Sequence, residues 1–179
     1  MTLVLENINK IHQKINYWRQ NKKKICLVPT MGSIHSGHLS LIKIASKKAD
    51  KVVVSIYVNP KQFSKNEDFS TYPRDISKDV KQLSKFKKCK IIYVPQNMYK
   101  KDHSTTINLK VPALGLDSDT RPHFFSAVAT VVLKLFNHVP ADYAIFGEKD
   151  YQQFRVVKQM VKDLNIPINI LLGPTKRDK

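Results

Sequence analysis

At 179 residues the chain has room for one domain with a sizeable core. Its 31 Lys and Arg against 14 Asp and Glu leave a formal charge of +17, but the excess is almost all lysine. Arginine, the usual reader of bases, stands only at Arg19, Arg74, Arg121, Arg155 and Arg177, which argues against specific nucleic-acid recognition and for a solvated lysine surface.

Residues 3–20 read as an amphipathic helix, with Ile8, Ile11, Ile15 and Trp18 at near-helical spacing. A buried strand follows at 25–28, then a helix over 36–48. Residues 52–58 are apolar on both faces, as a parallel strand inside a sheet should be. A polar loop from Lys61 to Arg74 leads to a helix through Val80 and Leu83, and a third strand at 91–94 is closed by Pro95. One short strand is expected at 106–111. A helix over 126–137, a strand at 143–146, a helix over 151–164 and a strand at 168–172 complete the chain. Strand and helix alternate without repeat or low-complexity linker, which predicts an α/β fold: a doubly wound parallel sheet with helices on both faces. Cys26, in an apolar strand, and Cys89 form neither a disulfide framework nor a zinc pattern. No apolar run is long enough to span a membrane and no signal peptide opens the chain, so a cytoplasmic protein is expected.

Ligands of such sheets bind beyond the carboxyl ends of the strands, and the polar clusters fall there. In Pro29-Thr30-Met31-Gly32-Ser33-Ile34-His35-Ser36-Gly37-His38 a strand ends, a glycine loop turns and a helix begins. Helix N-termini favour phosphate, and imidazoles at i, i+3 share one face of the first turn. Asn59-Pro60-Lys61-Gln62-Phe63 follows the second strand, and Gln62 offers one acceptor and two donors to a small polar substrate. Gly147-Glu148-Lys149-Asp150 follows the fifth, where Lys149 can meet phosphate as a point charge. Thr71 to Arg74 is a weaker signal, and Arg121 could clamp a phosphate or carboxylate. Read singly, Gln62 is as well a solvated loop residue, and Glu148 and Asp150 are as well helix caps.

Taken together and in order, Pro29 to Leu39, Val54 to Phe63, Tyr72-Pro73-Arg74, Arg121-Pro122, Leu135-Phe136-Asn137 and Gly147 to Gln153 closely resemble the pantothenate synthetase (pantoate–β-alanine ligase) family. The first segment alone resembles the wider His-x-Gly-His nucleotidyltransferase superfamily. The resemblance implies a Rossmann-like domain that condenses pantoate with β-alanine through a pantoyl adenylate, consuming ATP with Mg²⁺. It implies that Met31, Gly32, Ser33, Ile34, His35, Ser36, Gly37 and His38 form the first ATP segment, with His38 the proton donor and His35 its phosphate-side partner. Gly147, Glu148, Lys149 and Asp150 would form the second, and Lys176 would contact ATP through its backbone. Gln62 would contact both pantoate and β-alanine and Gln153 the pantoate, with Asn59, Tyr72, Arg121 and Asp117 completing the substrate set. Asp79 and Gln82 match positions that hold Mg²⁺, and the family pairs through this domain into a homodimer.

The chain departs from the family in four places. Arg121-Pro122-His123-Phe124 stands where the family has Arg-Pro-Gly-His, Asp117 replaces a glutamate, and Lys176 replaces a hydrophobic residue. The chain also ends before the family's Ser-Ser-Arg-Asn segment and smaller C-terminal domain. The sequence therefore predicts one nucleotide-binding domain over 1–179, weakly active or inactive by itself. Another superfamily nucleotidyltransferase, or a non-enzymatic basic binding domain, are the alternatives.

Overall fold

A computed structural model describes residues 1–64, 69–109 and 123–176. Its elements in chain order are β1 (Leu3–Leu5), α1 (Ile8–Gln20), β2 (Ile25–Thr30), α2 (Ser36–Lys48), β3 (Lys51–Ile56), α3 (Ile76–Leu83), β4 (Cys89–Tyr93), α4 (Phe124–His138), β5 (Tyr143–Gly147), α5 (Tyr151–Asp163) and β6 (Asn169–Gly173). All strands are parallel, in the order β1-β4-β3-β2-β5-β6. The chain builds outward from β2 to β3 and β4, then returns across the sheet to add β5 and β6 on the other side of β2. The seam between β2 and β5 is therefore the switch point, where a crevice opens at the carboxyl edge.

Alternation along the strands feeds two cores. Leu27, Val53 and Ile91 face α1, α4 and α5, represented by Ile15, Val128 and Val157. Val28, Val54, Ile92 and Ile145 face α2 and α3 through Leu41, Ile42, Ala45 and Leu83. This is the doubly wound fold that the alternating pattern predicts. Cys26 and Cys89 are both free and buried in the second core.

Several elements differ from the sequence reading, and β3 ends at Ile56, two residues before its expected limit. Residues 3–5 are not helical: they form an edge strand whose register runs from Leu3 beside Ile91 to Leu5 beside Tyr93. The helix starts only after Asn7, whose side chain accepts from the Asn9 and Lys10 amides. Of the strand expected at 106–111, residues 106–109 form none, and 110 and 111 lie outside the described residues. The reason is local. The Ile107 amide donates to Thr130 Oγ1 at 2.9 Å and its carbonyl accepts from Ser126 Oγ at 2.7 Å, so α4 side chains satisfy this backbone in place of a neighbouring strand.

β2 also runs two residues past its expected end, through Pro29. The Thr30 carbonyl accepts from Tyr57 N at 3.0 Å on the β3 side. Adjacent strand residues direct their polar groups to opposite sides, so the missing N–H of Pro29 faces β5. There the ladder pairs only Cys26 with Tyr143 and Leu27 with Ala144, and the proline costs no bond.

Candidate active site

The turn after β2 is built by tight backbone geometry. Thr30 Oγ1 donates to Ser55 O at 2.7 Å and accepts from Gly32 N at 3.2 Å. Gly32 (φ +87°) and Ser33 (φ +50°) are both left-handed, a conformation that glycine takes freely and serine only at a cost. Ile34 then drops into the core and His35 caps α2, its Nδ1 accepting from Gly37 N at 3.1 Å. Because Nδ1 accepts, the imidazole proton of neutral His35 sits on Nε2. A Cβ on Gly37 would lie 2.9 Å from His35 Cε1, so this glycine makes room for the ring that caps it. The His35 and His38 rings lie 4.1 Å apart between centroids.

Across the switch point, β5 ends at Gly147 and a 3₁₀ turn over Glu148–Asp150 leads into α5. Glu148 Oε2 accepts from Thr175 N at 3.3 Å, tying this turn to the segment after β6. Together these parts enclose a cavity of about 320 Å³ whose wall includes His35, Ser36, Gly37, His38, Gly147, Lys149, Asp150 and Lys176. The first turn of α2 and the Lys149 ammonium therefore front one space, suited to a phosphate chain.

A second, smaller cavity of about 160 Å³ adjoins it and includes Met31, Tyr57, Gln62 and Tyr72. Pro29, His38, Phe146, Asp150 and Gln153 line both. Gln62 is held by Asn59, whose Nδ2 donates to Gln62 Oε1 at 2.9 Å and to Ala127 O at 3.3 Å. With its oxygen so engaged, Gln62 presents its amide NH₂ as the donor for a ligand. Asn59 is only 1% exposed and stands behind Gln62, not on the cavity wall. One apolar wall comes from Val128, Val131, Val132 and Leu135 of α4. Their i, i+3, i+4, i+7 spacing is visible in the sequence, but it marks a core face and nothing in it announces a ligand.

The remaining expected residues fall elsewhere. Gly32, Ser33 and Ile34 shape the loop but do not line the larger cavity. Asp79, 3% exposed, accepts from Ile34 N through Oδ1 at 2.8 Å, and Gln82 Nε2 donates to Ile34 O at 3.0 Å. Both side chains are committed to the loop, and among the described residues no group of three or more His, Cys, Asp or Glu is placed to hold a metal ion. Asp79 and Gln82, expected to hold Mg²⁺, are instead each bonded to the Ile34 backbone and belong to no such group. Asp117 and Arg121 lie outside the described residues.

Burial, the neighbouring His35 and the Lys149 ammonium push His38 down from 6.5 to about 4, so its imidazole is neutral at physiological pH. Its buried Nδ1 has no hydrogen-bond partner among the described residues. Burial raises the Tyr72 phenol, with the Asp79 carboxylate adding to the effect.

The sequence model for pantoate-beta-alanine ligase matches residues 3–179. The pantothenate synthetase of Maricaulis maris is 49% identical over 96% of this chain and 60% of its own length. Among solved structures, pantothenate synthetase from Thermus thermophilus superposes with a TM-score of 0.90 at 36% identity, covering 99% of this chain and 63% of that one. Pantoate-beta-alanine ligase from Francisella tularensis, complexed with beta-gamma ATP and beta-alanine, gives 0.93 at 38% identity, covering 99% and 69%. The chain thus spans about three fifths of the curated relatives it matches. Over that span, sequence and fold agree, and the chain belongs to the pantoate–β-alanine ligase family.

Proposed function

We propose that this domain binds ATP and pantoate side by side and forms pantoyl adenylate, which β-alanine then converts to pantothenate. One observation carries the reading: the two cavities meet at His38, with Lys149 and the α2 N-terminus on the larger side and Gln62 on the smaller. A carboxylate in the smaller cavity would face a nucleotide α-phosphate in the larger. Its oxygen attacks phosphorus, the bond to the β-phosphate breaks and pyrophosphate leaves. The β-alanine amine next attacks the activated carbonyl, AMP departs with the bonding electrons, and the ammonium proton is lost to solvent. The chain's residues orient and stabilise. His38, neutral, and His35, with its proton on Nε2, act as hydrogen-bond donors to phosphate oxygens as charge gathers there. Lys149 adds a fixed positive charge, and Gln62 and Gln153 hold the acid and amine in line. Mg²⁺ would arrive on the ATP phosphates with most of its shell supplied by oxygen and water.

The reading extends to a homodimer, which sedimentation of the purified protein measures, and to the cytoplasm, in keeping with two free thiols. Among the described residues no helix is long and apolar enough to cross a membrane. The deciding experiment is pyrophosphate release from ATP with and without pantoate, run beside an ATP titration. Saturable ATP binding and pantoate-dependent release, both weakened by His38→Ala, are expected. Release indifferent to pantoate would point to another nucleotidyltransferase. Absence of saturable ATP binding together with salt-sensitive nucleic-acid binding would turn the assignment to a basic binding domain.

A further inference from the structure

We infer that Asp79 and Gln82 are positioning residues for the nucleotide loop, and not metal ligands: from α3 they hold both backbone polar groups of Ile34 and so fix the approach of His35 and His38.

Positions 79 and 82 are i, i+3 on α3, so their side chains leave the same face. That face meets the loop after β2. Asp79 Oδ1 takes the Ile34 N–H at 2.8 Å while Gln82 Nε2 gives a bond to the Ile34 carbonyl at 3.0 Å. One residue is thereby gripped at both its polar groups by a helix more than forty positions away. Immediately before it stand two successive left-handed residues, Gly32 and Ser33, and immediately after it the cap residue His35. Strained backbone persists only where its surroundings over-determine it, and here the grip on Ile34 supplies that constraint.

The loop also rests on the carboxylate itself. A Cβ at Gly32 would lie 3.0 Å from Asp79 Oδ2 and 3.2 Å from Ile56 Cγ2, so the absence of a side chain at 32 lets the backbone approach the acid. Asp79 thus has one oxygen bonded to an amide, the other against Gly32, and only 3% of its surface exposed. Mg²⁺ demands near-octahedral oxygen ligands at about 2.0–2.1 Å and keeps several of its waters. The carboxylate borders a cavity of about 270 Å³, but with so little of its surface exposed it has scant room for a hydrated ion, whereas it is well suited to hold a backbone N–H in a desolvated setting.

The inference rests on the nucleotide reading of the loop, and its test separates the two. Asp79→Asn keeps an acceptor for Ile34 N and removes the charge. Asp79→Ala removes both, and Gln82→Leu removes the donor while keeping bulk. In nucleotide-free protein, the imidazole proton resonances of His35 and His38 are expected to stay in place in Asp79→Asn and to move in Asp79→Ala and Gln82→Leu. ATP affinity should fall about tenfold in Asp79→Ala, the scale expected for an orphaned buried amide, and stay within about twofold in Asp79→Asn. The Mg²⁺ dependence of ATP binding should match wild type in Asp79→Asn and Gln82→Leu. Unmoved imidazole resonances in Gln82→Leu, or a Mg²⁺ dependence altered in Asp79→Asn, would overturn the inference. Should Asp79→Ala not fold, the other two variants decide it. Failure of the wild type to bind ATP would remove the nucleotide reading while the ligand-free resonances still test the grip on Ile34.

Discussion

The imidazoles of His35 and His38 lie 4.1 Å apart between centroids and tilt by 44°, although only His38 is part of a helical turn. His35 reaches this position as the cap of α2, with extended backbone (φ −132°, ψ 179°). Two cationic rings at that separation would repel, which adds to the burial that chiefly depresses His38.

His38 should therefore stay unprotonated in the ligand-free protein until the pH approaches about 4. Proton NMR of the imidazole signals, followed through acid titration, reads this directly. Binding of a triphosphate should raise the midpoint, because negative charge beside the ring favours the imidazolium. Loss of this donor in His38→Ala should slow adenylate formation by roughly 10²–10³. A His38 midpoint near 6.5 without ligand would contradict the placement.

Stability should fall on acidification between 6.5 and about 4. His38 and His138 are both held near 4 in the folded protein, in each case chiefly by burial. Below 6.5 the unfolded chain takes up protons that the native state refuses, so unfolding gains as pH drops, and above that range neither group contributes. His138 Nδ1 lies 2.7 Å from the Tyr93 hydroxyl, and on a neutral ring it can accept that proton. Urea midpoints measured across the window should decline less steeply in His138→Gln, which removes one titrating group and retains an acceptor. An unchanged slope would count against His138.

Gly37→Ala should damage nucleotide binding more than folding. The added methyl meets the His35 ring, a movable side chain, so the ring swings away and its cap bond to Gly37 N is lost. A cap of this kind is worth about 0.5–2 kcal/mol, and thermal melting should show a decrease no larger than that. ATP affinity, measured by calorimetry, should drop severalfold. Equal binding by the variant would show that His35 does not meet the nucleotide.

Neither thiol should react in the native protein. Burial pushes Cys26 and Cys89 up to about 12, so the thiolate is scarce and a reagent has no path to it. An aromatic disulfide reagent should label both only after unfolding, and rapid labelling of folded protein would disprove the packing of the α2–α3 core.

Much of this architecture is legible in the sequence because it is periodic or local. The apolar runs mark β2 to β6, and the motif residues His35, His38, Lys149, Gln62 and Gln153 all line the paired cavities. What escapes is set by distant partners. Three residues are too few for a period, so β1 is visible only through its pairing with β4. Residues 106–109 look extended, yet Thr130 and Ser126 of α4 satisfy Ile107. Asn59 stands among candidate ligands in sequence but is spent on Gln62 and Ala127. Asp79 and Gln82 show by spacing that they share a helix face, and no local rule reveals that Ile34 lies opposite.

The short ladder between β2 and β5 makes the two halves of the sheet weakly stitched where they meet. Six residue pairs join β2 to β3, whereas two join it to β5, with Pro29 beyond them. A nucleotide lodged there would touch the first half through α2 and the second through Lys149, and so act as a cross-tie between them. Hydrogen exchange at Tyr143 to Gly147 should then slow when ATP is added, more than at the well-laced boundary of β3 and β4.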